Sequence, residues 1–406
     1  MDTDWNDLKE SNEFLKLLLE NINSAVLIAD EHLQIHQFNR VFLQLFDQAG
    51  NRMAEKSFGR ISGCVHAVQE NKPCGETSQC RFCLLRRSLV KTFLEKTPSD
   101  KLWLERVFYI NGRPVEKFLE FSTRHITFRG RKMILVIIYD VTDIEKQKIE
   151  LEKKQRQLDL DLQAAAGIQQ SLLPKCCPTR TNLRLAWKFE PSGQVGGDIF
   201  NLCETCPGRL CLYMLDVCGH GVSAAMISVT VSQFLQSLGA PDGGAGAFPD
   251  PAGVLTRLNR EFPFERFDSY FTIVFVDIDL TSGEMRYSCA GHPPPVLLPH
   301  TGGLEVLGQH GPVIGLDEGV VFKQHRRRLR PGDRLVLYTD GLVDVANQAG
   351  ELFGRRRLHA ALQAARPESV AGLADGVYDA VKDFGGDRRP EDDLSLMVVE
   401  YTVHSA

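Results

Sequence analysis

Apolar and polar positions change rhythm twice along the chain. From 12 to 143, short buried runs alternate with amphipathic stretches: Phe14, Leu15, Leu17, Leu18 and Leu19 share one helical face, and 24–30 is a short buried strand ending in a turn. The run 33–38 is its pairing strand, and Asn39 stands at the cap position of a helix carrying Val41, Phe42, Leu45 and Phe46. Residues 115–125 and 132–140 alternate or run apolar on either side of Arg129-Gly130-Arg131, which predicts a hairpin that closes on Asp140-Val141-Thr142-Asp143.

A different rhythm follows from 144 to 173. Ile144, Leu151, Leu158, Ala165 and Leu172 recur every seven residues in a stretch rich in Lys, Glu, Gln and Asp, which is the seam of a coiled coil. The interleaved positions Lys148, Gln155, Leu162 and Gln169 are mostly polar, so the pairing is expected to be weak or adjustable, with a lone solvated helix as the alternative. Pro174 ends it. From 174 to 403 the pattern is one of strands with turns and helices between: 209–217, 271–280, 285–290, 333–338 and 394–401 read as strands, while 224–238 and 358–365 have helical spacing. The stretch 239–250, rich in Gly, Ala, Pro and Asp, reads as a surface loop.

The first segment, with its strand, turn, strand, Asn39-led helix and late hairpin, resembles a PAS sensor domain. The resemblance covers most of 12–145 and implies an unidentified small ligand or a redox signal there.

Composition narrows the classes. At 406 residues the chain is long enough for two or three domains. A net charge of -5 and the absence of a long basic stripe give no reason to expect nucleic acid, since Arg326-Arg327-Arg328 and Arg355-Arg356-Arg357 are short. No apolar stretch reaches the roughly 20 residues that span a bilayer. The acidic start Met1-Asp2-Thr3-Asp4 is unlike a signal peptide, so a cytoplasmic protein without membrane contact is expected. Eleven cysteines in such a chain argue for metal or cluster ligation, or for free thiols, over a disulfide framework.

Four aspartates carry the clearest chemistry. They lie in Gly196-Gly197-Asp198, Asp216-Val217-Cys218-Gly219-His220-Gly221, Thr339-Asp340-Gly341 and Asp392-Asp393-Leu394-Ser395, each at or beside the end of an apolar run. A folded sheet can therefore gather them at one edge, and oxygen-only ligands suit magnesium or manganese better than zinc. Any one Asp-Gly pair is also a common turn.

The ordered set 160–174, GGDIF, DVCGHGVSAAM, AGHPPP, GPVIGL, LYTDGLVDV and EDDLSLMVV resembles the SpoIIE-like branch of the PPM metal-dependent serine/threonine phosphatases. The resemblance implies an α+β chain: a PAS-like sensor, a coiled-coil linker and a PPM α-β-β-α sandwich over 174–403. It implies two Mn2+ or Mg2+ ions, with Asp216 bridging, Val217 lending its carbonyl, and Asp198, Asp340 and Asp392 binding single ions. Asp393 is hard to separate from Asp392, which is favoured only because it leads its string. His220 is a candidate acid for the leaving oxygen or a hydrogen-bonding loop histidine, and His292 is read as a turn residue near the cleft. The resemblance further implies hydrolysis of phosphoserine or phosphothreonine on an anti-sigma-factor antagonist in partner switching, and the seam of 144–173 leads to the expectation of a homodimer joined through the coiled coil.

Two departures stand out. Ile199-Phe200-Asn201 follows Gly-Gly-Asp where the family often has an aromatic and a second acid, and Cys218 replaces a small hydroxyl residue and is expected to be buried and inert. Competing readings are a non-catalytic phosphatase-shaped scaffold and a diguanylate cyclase, the latter weakened because Ile199-Phe200 cannot ligate metal. Cys64, Cys74, Cys80 and Cys83, with His66 as a possible substitute ligand, form a cluster ending in Cys-x-x-Cys. Zinc, an iron–sulfur cluster, redox-active thiols and incidental packing all remain open for it. Cys203-x-x-Cys206 is read as two cysteines in a turn.

Overall fold

The structure is a computed structural model that describes residues 19, 21–30, 32–46, 57–128, 130–174, 182–206, 208–238, 250–308 and 311–402. The expected apolar helical face before Leu19 and most of the 239–250 loop lie outside the described residues. The chain divides into two compact units, Met1–Arg156 and Gln157–Ala406.

The first unit is built on a five-stranded antiparallel sheet in the order β2-β1-β5-β4-β3. Its strands are β1 (Ala25–Ala29), β2 (Ile35–Phe38), β3 (Ser99–Ile110), β4 (Arg113–Phe128) and β5 (Arg131–Asp140). Asn39 caps the helix Arg40–Leu45 as expected: its Oδ1 accepts from the backbone N–H of Phe42 and of Val26, while Nδ2 donates to the Ser24 carbonyl. One side chain thus ties the helix start to β1. Short helices and the helix Leu84–Glu95 separate β2 from β3, and Phe42, Phe46, Phe108 and Phe121 lie at the centre of the core.

β3 is an element the apolar pattern did not announce. Its residues SDKLWLERVFYI mix charges into the alternation, yet Asn111-Gly112 joins it to β4 with both residues at positive φ (50° and 75°). Asn-Gly is the signature of a two-residue hairpin turn, because both central positions must adopt left-handed backbone.

The helix Thr142–Ser171 runs for 30 residues. Ile144, Leu151 and Leu158 on it are exposed. Gln169 is buried despite its seam position, and Leu173, just past the helix, enters the core of the second unit.

The second unit stacks two five-stranded antiparallel sheets. One runs β13-β10-β9-β8-β7, formed by β7 (Ile199–Cys206), β8 (Arg209–Val217), β9 (Phe271–Asp279), β10 (Glu284–Ala290) and β13 (His325–Arg328). The other runs β12-β11-β14-β15-β6, formed by β6 (Leu183–Glu190), β11 (Val296–Leu298), β12 (Glu305–Val306), β14 (Arg334–Tyr338) and β15 (Leu394–Tyr401). Side-chain alternation shows how the layers close. Leu335, Leu337, Met397 and Val399 join the core shared with the first sheet, whereas Val336, Tyr338, Leu396 and Val398 face the helices Gly354–Ala364 and Val370–Gly385. Helices Val222–Leu238 and Pro251–Glu261 contribute to the core around β8, β9 and β10. β8 is buried over nearly its whole length, as a central strand covered on both faces must be. The result is an α-β-β-α sandwich.

The β7–β8 hairpin corrects two cysteine expectations. Its register sets Cys203, which lies within β7 and not in the turn, opposite Cys211, and these two form a disulfide. Cys218, expected to be buried, is exposed, because it follows β8 in a loop where its backbone N–H bonds the Tyr270 carbonyl and its side chain is left outside. Among the described residues no helix is long and apolar enough to cross a membrane.

Candidate active site

Strand direction gathers the four aspartates. Asp198 immediately precedes β7, Asp216 is the penultimate residue of β8, Asp340 follows β14 by two residues, and Asp392 precedes β15 by two. β7 and β8 are antiparallel with Ile199 opposite Leu215, so Asp198 and Asp216 are neighbours at one end of the ladder. β14 and β15 are antiparallel with Tyr338 opposite Leu396, which brings Asp340 and Asp392 to a common end of the second sheet.

Each acid has a distinct setting. Asp198 is only 1% exposed, and its Oδ2 accepts from the hydroxyls of Thr339 (2.8 Å) and Ser395 (2.5 Å). Burial, then the neighbouring charges of Asp216 and Asp393, push its carboxyl well above the usual range. Asp216 is pushed up to about 8 by burial and by Asp340, Asp392 and Asp393, and a hydrogen bond with Asp198 opposes the shift. Asp392 is exposed; burial of part of its side chain raises it, a hydrogen bond from the Asp393 N–H opposes this, and Asp340, Asp393 and Asp344 raise it further.

The geometry separates Asp392 from Asp393. The carboxylate of Asp393 is buried and turned inward: Oδ1 accepts from the N–H (2.7 Å) and hydroxyl (3.1 Å) of Ser192, and Oδ2 accepts from the N–H of Asp198 (3.1 Å). Its oxygens are spent on fixing the loop that carries Asp198. Glycine is required where this loop meets it, since a Cβ on Gly196 would fall 2.1 Å from Asp393 Oδ2 and one on Gly341 would fall 2.2 Å from the Asp393 carbonyl oxygen. The Val217 carbonyl also faces this loop, 2.8 Å from where a Cβ on Gly197 would stand.

A cleft of about 340 Å³ opens beside these acids, lined by Gly219, His220, Gly341, Asp344, Arg388, Arg389 and Asp392 among others. His220 is exposed at its wall. His292 is elsewhere in function: it is fully buried, and its Nδ1 is 2.9 Å from the Thr272 hydroxyl on β9. Burial pushes its pKa down to about 3.

Four participants escaped the sequence reading. Asp344 lies one helical turn beyond Asp340 and lines the cleft; burial and Asp340 raise its carboxyl while Arg355 opposes them. The i, i+4 spacing of Asp340 and Asp344 is a signal that could have found it. Arg388 and Arg389 bring positive charge to the same cleft. Gln169 on the long helix holds the Asp198 loop, donating from Nε2 to the Gly196 carbonyl (2.7 Å) and accepting at Oε1 from the Gly196 N–H (3.2 Å).

An all-oxygen donor set in which carboxylates raise one another fits divalent hard cations, whose charge would relieve the repulsion. Among the described residues no three His, Cys, Asp or Glu side chains are gathered closely enough to hold a single ion by themselves. Waters must complete any shell there, as hard cations permit. In the first unit, Cys64, Cys74, Cys80 and Cys83 together line one cavity with His66, and burial pushes the Cys74 thiol up to about 11.

Two facing antiparallel sheets flanked by helices, with acids at the strand ends, define a PP2C-like phosphatase fold. Residues 207–402 match the family Stage II sporulation protein E (SpoIIE), and residues 13–76 match the PAS domain family. The chain thus carries a SpoIIE-type PPM phosphatase domain and an N-terminal PAS domain. It is 27% identical over 225 residues to the protein IcfG of Synechocystis, covering 50% of this chain but only 36% of that protein. It is 24% identical over 313 residues to the phosphoserine phosphatase RsbU of Bacillus subtilis, covering 77% of this chain and 90% of RsbU. The solved SiaA-PP2C domain of Pseudomonas aeruginosa superposes with a TM-score of 0.52 at 20% identity, covering 61% of this chain and 98% of that domain, which shows the fold.

Proposed function

We propose that the protein is a signal-regulated, metal-dependent phosphatase that hydrolyses phosphoserine or phosphothreonine on a regulatory protein. The observation that carries this is the convergence of Asp198, Asp216, Asp340 and Asp392 at the strand ends, where the charges that raise Asp216 are all carboxylates. The likeness to RsbU, a phosphoserine phosphatase, supports the same class of substrate, and the resemblance to the SpoIIE-like branch implies an anti-sigma-factor antagonist in partner switching within that class.

Two divalent ions, Mn2+ or Mg2+, would supply an activated water and a counter-charge for the phosphoryl oxygens. Asp216 and the Val217 carbonyl, with Asp198, Asp340 and Asp392, are the groups that would hold them. Asp344 adds a further carboxylate on the cleft side. Asp393 and Ser192 keep the Asp198 loop in place, and the hydroxyls of Thr339 and Ser395 orient the Asp198 carboxylate. His220, exposed at the cleft wall, would donate a proton to the departing serine or threonine oxygen. Arg388 and Arg389 draw the anionic phosphoryl group into the cleft.

Regulation enters through the long helix. Ile144, Leu151 and Leu158 present an apolar seam exposed at 65%, 68% and 53%, suited to pairing with a second copy. A change in that pairing would reach the metal ligands through Gln169. Phosphate release from a phosphoserine-bearing anti-sigma-factor antagonist, compared with release from a phosphotyrosine peptide, tests the reading. Turnover of the first and not the second is expected, and no turnover on any phosphoprotein would establish the scaffold alternative.

A further inference from the structure

The first unit contains four cysteines that the phosphatase reaction does not use. They come from separate pieces of chain: Cys64 precedes the helix Val65–Gln69, Cys74 lies in the loop after it, Cys80 opens the 3₁₀ turn Cys80–Phe82, and Cys83 precedes the helix Leu84–Glu95. Folding nevertheless directs all four to one cavity of about 30 Å³, otherwise walled mainly by Phe58, Leu85, Leu104 and Phe108.

The local backbone is arranged around the sulfurs. Cys64 is held against β3, where it bridges Phe108 and where the Tyr109 N–H bonds the Gly63 carbonyl at 2.7 Å. Cys74 packs on Gly59 so closely that a Cβ there would lie 2.9 Å from its own Cβ and 3.0 Å from its sulfur. Cys80 Sγ accepts from the Gly75 N–H at 3.0 Å and lies 2.9 Å from the Thr77 hydroxyl. Donors of this kind surround thiolate ligands and steady their negative charge. Cys83 occupies the N-cap of a 12-residue helix without making a side-chain capping bond. Arg106 lines the cavity, and the Arg86 guanidinium rests on Gly75, 2.7 Å from where a Cβ would stand. Two cations beside four thiols answer the net negative charge that four thiolates leave on zinc or on an iron–sulfur cluster.

We propose that Cys64, Cys74, Cys80 and Cys83 form a second, independent metal centre, a four-thiolate site for zinc or an iron–sulfur cluster, in the sensor unit. Because no three of these side chains meet at single-ion distance, a bound centre either spans the cavity, as a cluster does, or draws the sulfurs inward, as zinc does. Either way it clamps the Cys64–Cys83 segment to β3. The segment then becomes sensitive to metal supply or to oxidation.

The test is elemental and sulfide analysis, with a visible absorption spectrum, on the full chain purified anaerobically. About one zinc per chain identifies the zinc form, and iron with an equal amount of acid-labile sulfide and a broad visible band identifies the cluster form. Either content should survive Asp216→Asn, which disables only the phosphatase acids. It should fall at least tenfold in Cys80→Ser and in Cys64→Ser, and stay unchanged in the control Cys218→Ser. Should the sensor variants fold poorly, thiol titration of the wild-type chain decides: four thiols that react only after chelator treatment support the centre. The proposal is overturned if the four thiols titrate freely in the purified chain, if they are found as disulfides, or if the metal content is indifferent to all four cysteines.

Discussion

Gln169 grips Gly196 through both ends of its amide, although the two residues are 27 positions apart. This places a side chain of the long helix two residues from Asp198. Gln169→Ala would leave the Gly196 N–H and carbonyl without buried partners, at a cost of roughly 1–3 kcal/mol borne by the loop that carries Asp198. The expected outcome is at least a tenfold rise in the manganese concentration needed for half-maximal phosphatase activity, with little change in maximal rate at saturating metal. Gln169→Glu, which cannot donate to the Gly196 carbonyl, should be no better. A metal titration of activity checks this.

Asp392 and Asp393 are adjacent in sequence and opposite in setting, the first exposed and the second buried. Asp393→Asn replaces a double acceptor by a group whose NH2 would face either Ser192 or the Asp198 N–H. A loss of stability of about 1–3 kcal/mol is expected, seen as a thermal midpoint several degrees lower, together with lost activity. Asp392→Asn, at an exposed position, should leave the midpoint within about 2 °C while reducing activity by at least a hundredfold. Thermal unfolding and initial rates on the two variants settle the division.

His292 provides a pH-dependent part of stability. Its folded pKa, about 3, lies below the ordinary value of 6.5, so the unfolded state binds the proton more readily. The contribution is fully present above about pH 6.5 and is lost as pH falls toward 3, at up to about 1.4 kcal/mol per pH unit. Denaturant unfolding of the wild type minus that of His292→Asn should therefore narrow with falling pH in this window. A difference that is flat from pH 7 to pH 4.5 would show that the buried ring is not the titrating group.

Arg388 and Arg389 are expected to act on substrate capture. Arg388→Glu together with Arg389→Glu should raise KM for the phosphoprotein at least tenfold and leave kcat within about threefold, with the effect shrinking at high salt. Steady-state kinetics at two ionic strengths checks both parts.

The fold was largely legible because its strands end where their apolar runs end. Asp216 and Asp340 could be placed at strand termini from the runs 209–217 and 333–338 alone, and Asn39 could be placed as a cap from its position before a helical face. What escaped the sequence depends on contacts across the chain. Gln169 reads as a polar seam position until the fold buries it on Gly196, and Cys203 finds Cys211 only through the register of a hairpin. Asp393 looks interchangeable with Asp392 until Ser192 and the Asp198 N–H converge on it. Asp344 and the Asn111-Gly112 turn are different, since their spacing and residue types were visible but unread.

The central claim is that the four gathered aspartates make a metal-dependent protein phosphatase. Its most direct test is release of phosphate from a phosphoserine protein by the full chain, titrated with Mn2+ and repeated with Asp216→Asn. The account predicts activity that rises from background with added manganese in the wild type and falls at least a hundredfold in the variant, while the variant's thermal midpoint in chelator is no lower than the wild type's, since the substitution removes a buried, repelled carboxyl. Turnover that ignores manganese, or that survives Asp216→Asn, would contradict it.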